Sequence, residues 1–230
     1  MTDDSSDQGG LSSQPAGGTD FPRIDLHHFA ATLDVDLDEA FGALLRLYED
    51  IDERLKNTTS GLNLPCHRGC DMCCYESVFV TPLEFLYVWD FVQRNFTNTR
   101  MNEVIQDGLA LFVQFRGRIE QLDSWTPESG EDPLEIARNI KFRCPLLGGD
   151  GGCSVYPVRE LYARLFGSTF NRLGGIYGCH LVGEHLGGKE ITLLKAEPAA
   201  LRLNDLPLTF KRQVYPYYIH LLYGDYQMAA

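Results

Sequence analysis

Four cysteines fall within nine residues, in the stretch Cys66-His67-Arg68-Gly69-Cys70-Asp71-Met72-Cys73-Cys74. Thiolates packed this closely repel one another unless a cation sits among them. Cys70-x-x-Cys73 is the spacing by which two thiolates meet one ion from a tight turn. Gly69, just before Cys70, lets the backbone turn closely there. Cys73 and Cys74 are adjacent, so their side chains diverge; one of them serves a second metal, bridges two metals or sits in the core. Cys144, Cys153 and Cys179 follow far down the chain. Seven cysteines is an odd number, which argues against a pure disulfide framework.

Cys144 and Cys153 flank the glycine-rich turn Gly148-Gly149-Asp150-Gly151-Gly152, flexible enough to fold both thiols toward one site. That turn has neither the lysine nor the strand–helix context of a phosphate loop. His67, His180 and His185 lie near cysteines and are possible further ligands. The seven thiols could supply one complete cluster plus part of another site, or two sites completed by His or Asp, and spacing alone does not separate zinc from an iron–sulfur cluster. Cys66-x3-Cys70-x2-Cys73 is also the spacing of the radical S-adenosylmethionine signature. Such enzymes need an alternating βα barrel, which the helix-rich pattern does not offer.

A chain of 230 residues with 44% hydrophobic residues buries a core without metal, unlike a short zinc finger. Its formal net charge of -12 repels phosphate backbones, so no nucleic-acid partner is expected. No apolar run is long enough to span a bilayer, so no membrane partner is expected either. The stretch from Met1 to Asp20 has four aspartates and no basic residue, which is not the make-up of a signal peptide. The expected location is the cytoplasm, where thiols stay reduced.

Residues 1–20 read as a disordered acidic tail, and 21–230 as a single metal-binding domain. Apolar residues recur at spacings of three and four from Asp36 to Lys56: Leu37, Phe41, Leu44, Leu45, Tyr48, Ile51 and Leu55. Asp36 is the expected cap, with Glu39 at the capping-box position. Ser77 to Val80 reads as extended. Thr81-Pro82-Leu83-Glu84 reads as a capping box opening a helix to about Asn95. Further helices are expected over Thr99–Leu122, Pro133–Asn139, Pro157–Leu165 and Val214–Tyr223, with a strand over Ile191–Lys195. The terminal tyrosines, Tyr215, Tyr217, Tyr218, Tyr223 and Tyr226, are expected to pack the last helix onto the domain, with a partner surface as the alternative. The fold class is mainly α: a helical domain with long cysteine-bearing loops and little β structure.

Two blocks of residues resemble a known family. Cys66-x2-Gly69-Cys70-x2-Cys73-Cys74 with Val78-Phe79-Val80-Thr81-Pro82-Leu83-Glu84 forms the first. Cys144-Pro145-Leu146-Leu147 with Gly152-Cys153-Ser154-Val155-Tyr156-Pro157-Val158-Arg159 forms the second. Together, over about residues 60–180, they resemble the bacterial CxxCxxCC cysteine-cluster family, described as zinc- or iron-chelating. The resemblance implies the seven cysteines above as ligands. It departs at Glu160, where the family has proline, and at Ala163, where it has a further cysteine. Glu160, His180 or His185 would then substitute, or a coordination position stays open. The resemblance reaches a methylase with a similar cluster. An iron–sulfur-dependent enzyme of redox or methyl-transfer type therefore stands as the alternative to a metal-holding protein.

Overall fold

The computed structural model of the chain describes residues 20–67, 69–130 and 132–228. The expected tail lies outside them apart from Asp20, whose carboxylate accepts from Asn102 Nδ2 at 3.0 Å. The architecture is mainly α. In chain order the helices are α1 (Leu26–Ala31), α2 (Leu37–Thr59), α3 (Pro82–Asn95), α4 (Asn98–Asp123), α5 (Pro133–Arg138), α6 (Leu161–Leu165), α7 (His180–Leu186), α8 (Ala196–Asn204) and α9 (Tyr215–Met228). Among the described residues, five two-residue strands accompany them: β1 (Phe79–Val80), β2 (Thr169–Phe170), β3 (Ile176–Tyr177), β4 (Leu194–Lys195) and β5 (Gln213–Val214). β1 pairs antiparallel with β5, Phe79 opposite Val214. β2 lies between β3, antiparallel, and β4, parallel.

The helix starts follow their local chemistry. Asp36 accepts from Glu39 N at α2, and Thr97 caps α4. At α3 the capping box is complete: Glu84 N donates to Thr81 Oγ1 while Thr81 N donates to Glu84 Oε2. Pro82 occupies the first turn, where its missing N–H leaves no bond unmade.

The main core takes one face from each long helix. Leu37, Leu44, Tyr48, Ile51 and Leu55 of α2 are buried, as the periodicity predicts. Leu45 is not: it is 43% exposed, and Ala40 and Leu47 take the inward positions. At 100° per residue Leu45 falls beyond the edge of the buried stripe, although its spacing from Phe41 fits the pattern. On α3, Phe85 stacks on Tyr218 of α9 with centroids 4.8 Å apart, and Trp89 Nε1 donates to Tyr223 OH at 3.1 Å. α9 runs along α4, where Phe112 and His220 stack at 3.8 Å. Tyr215, Tyr218 and Tyr223 are thus buried on α9, while Tyr226 is exposed.

The expected helix over Pro157–Leu165 is split. A 3-10 turn covers Tyr156–Val158, and α6 begins only at Leu161. Between them Arg159 and Glu160 are extended, with ψ of 146° and 164°. This break turns the Glu160 side chain into the interior, where Tyr215 OH donates to it at 2.8 Å. Helices α1, α7 and α8 have no counterpart in the sequence reading. Among the described residues, no helix is long and apolar enough to cross a membrane.

Candidate metal centre

Three stretches far apart in sequence bring the cysteines to one region. Cys73 and Cys74 sit in a 3-10 helix, Met72–Tyr75, reached through the turn in which Cys70 N donates to His67 O. Gly69 makes that turn with φ of 90°, a left-handed value that a β-carbon disfavours. The second stretch docks directly on the first: Cys144 N donates to Cys74 O at 2.7 Å. The glycine-rich turn also reaches back, since a β-carbon on Gly151 would lie 3.1 Å from Gly69 O. Leu147 and Cys153 close that turn as an antiparallel bridge. The third stretch arrives through Gly167, at φ of 80°, where an added β-carbon would stand 3.5 Å from Cys66 Sγ. Gly167 N donates to Tyr177 O at 2.6 Å, which fixes the approach to Cys179, the N-cap residue of α7.

All seven cysteines are free thiols. Their electrostatics divide them into two neighbourhoods. Cys66 is exposed as a residue, yet its thiol is pushed up, first by loss of solvent around the sulfur and then by Cys70, Cys179 and Cys73. In the other neighbourhood burial pushes the Cys144 thiol up to about 12 and the Cys153 thiol up to about 11, with Glu160 adding to both. Cys73 and Cys74 share a hydrogen bond that holds the Cys73 thiol below its ordinary value and raises Cys74 well above it. Arg159 is the positive charge that lowers Cys73 and Cys153. Burial raises the Glu160 carboxyl as well.

These groups have the donor chemistry for zinc or iron–sulfur: thiolates, with one carboxylate beside them. Among the described residues, however, no group of three or more His, Cys, Asp or Glu side chains is arranged to hold a metal ion. The backbones converge while the sulfurs do not close on one point. Of the histidines considered as ligands, His67 Nδ1 lies 2.9 Å from Pro65 O and His185 Nε2 lies 2.9 Å from Leu62 O, while His180 is exposed on the first turn of α7. Ala163 lies half-buried within α6.

No pattern in the sequence marks Tyr177, and Tyr215 is marked there only for packing the last helix onto the domain. Both are pushed up by burial, with Glu160 and cysteines contributing. Tyr215 reaches the region through its bond to Glu160, 55 residues away, and Tyr177 through the short pairing of β3 with β2. No protein-family model, curated protein or solved structure matches the chain.

Proposed function

We propose that this protein binds zinc or an iron–sulfur cluster through sulfur ligands drawn from Cys66, Cys70, Cys73, Cys74, Cys144, Cys153 and Cys179, and that it does so in the cytoplasm. Membership of the bacterial CxxCxxCC family is part of the same proposal. The observation that carries it is convergence: Cys144 is hydrogen-bonded to Cys74 across 70 residues, and Cys66 faces the segment leading to Cys179. A chain has no packing reason to gather thiols from three distant stretches, with Glu160 beside part of them, and burial opposes deprotonation of Cys66, Cys144 and Cys153. A cation removes that opposition, and ligation displaces the thiol protons.

Side-chain rotation about χ1 moves a cysteine sulfur without disturbing the backbone, which here is fixed by the docking bond and the glycine contacts. Zinc would supply a rigid crosslink between the three stretches, and an iron–sulfur cluster would add electron transfer. The chain's own part is to position the ligands and to place Arg159 beside the thiols.

Elemental analysis and a visible spectrum of protein purified under nitrogen test the reading. The expected result is stoichiometric zinc in a colourless protein, or iron with sulfide in a brown one. Cys70→Ser is expected to lower the metal-to-protein ratio sharply. Wild-type protein that carries neither metal and takes up neither zinc nor a reconstituted cluster would overturn the proposal.

A further inference from the structure

We propose that the open groove between the end of α4 and the loop preceding β5 is a binding site for a small aromatic anion, a planar ring carrying a carboxylate or a phosphate. It is independent of the metal reading. The groove has a volume of about 820 Å³, within the range of small-molecule sites. Trp125, Leu206, Leu208 and Phe210 supply apolar lining, and among the described residues the charged lining is Lys211 and Arg212. In a chain of net charge -12, a concavity whose charged walls among the described residues are both cationic is a local reversal of sign.

The two cations are not equivalent. Lys211 is neutralised by Asp123, its Nζ 2.7 Å from Oδ1. Arg212 has no carboxylate partner among the described residues. Its Nη2 donates to the neutral Asn204 Oδ1 at 3.0 Å, and its guanidinium lies 5.3 Å from the Tyr162 ring centroid. Its Nε is buried without an acceptor. A guanidinium held by a neutral amide and a ring keeps its full charge for an incoming anion and presents a planar fork suited to carboxylate or phosphate.

The apolar side of the site is also prepared. Phe210 is 79% exposed, a ring face available for stacking at the groove's edge. The loop that carries it is pinned. Leu208 has φ of 53°, a left-handed value costly for a branched side chain, and Leu83 N donates to its carbonyl at 3.0 Å. Thr209 Oγ1 donates to Leu206 O at 2.6 Å. A wall fixed before binding loses little entropy when a ligand arrives.

Titration calorimetry of the full chain tests the site. The probes are adenosine 5′-monophosphate and naphthalene-2-carboxylate, with inorganic phosphate and naphthalene-2-methanol lacking ring or charge. Saturable binding of at least one ring-bearing anion is expected, and which of the two binds identifies the ligand's source. R212A should weaken it at least about tenfold, by loss of a charge-assisted bond. F210A, at an exposed position, keeps the fold and should weaken it several-fold. Absence of heat with both anions overturns the proposal. So does equal binding of inorganic phosphate or of the alcohol, or affinity unchanged in both variants.

Discussion

Glu84 shows how one side chain is used twice. Its Oε2 accepts from Thr81 N at 2.9 Å and from Thr81 Oγ1 at 3.0 Å, closing the capping box. Its Oε1 accepts from Tyr48 OH at 2.9 Å and from Leu161 N at 2.8 Å, joining α3 to α2 and to the start of α6. The residue is 1% exposed, so these donors have no water to turn to. Glu84→Ala is expected to destabilise by at least about 3 kcal/mol, read by urea unfolding, because several buried donors lose their acceptor together. A loss below about 1 kcal/mol, the scale of a cap alone, would show that the joint to Tyr48 and Leu161 carries no weight. The cap was legible in Thr81-Pro82-Leu83-Glu84, since capping is a contact between neighbours in sequence. The second pair of bonds was not, because nothing near Glu84 encodes Tyr48 or Leu161.

Helices long enough to show several turns of periodicity were legible, and short ones were not. α2, α3 and α4 each present a repeated apolar face, and their observed bounds lie close to those expected. α1 and α7, of six and seven residues, hold too few turns for a period to emerge, and tertiary packing stabilises them instead. The α4–α9 contact offers a test within one helix. At Gly108 an added β-carbon would stand 2.5 Å from Ile219 Cδ1 and 3.0 Å from its Cγ2, while at Gly117 nothing lies within 4 Å. Gly108→Ala should cost about 1–3 kcal/mol by overpacking. Gly117→Ala should gain about 0.5–1 kcal/mol from helix propensity. Thermal or chemical unfolding of the two variants reads the contrast, and equal effects would refute this account of how α4 meets α9.

At the scale of the whole molecule, the main core draws on residues from Phe21 to Tyr223, so the chain does not rely on metal for a hydrophobic interior. Metal is instead expected to lock the three cysteine-bearing stretches to one another. Free metal at a hundred times its dissociation constant adds about 2.7 kcal/mol. For a chain of this length that corresponds to a melting temperature about 5–10 °C higher than in chelator-treated protein. The treated protein should remain helical by circular dichroism, and an identical melting temperature in both samples would argue against a resident ion. The helical class, the capped start of α3 and the candidate ligands can be read from the order of residues alone. Those depend on residue chemistry and on periods that span a few turns. It took packing in three dimensions to bring Cys144 onto Cys74, Cys66 to Gly167 and Glu160 inward beside thiols, and to set Arg212 in a groove with no carboxylate among the described lining residues. These are meetings between segments tens to more than a hundred residues apart, fixed by how helix faces pack together, and no local pattern encodes them.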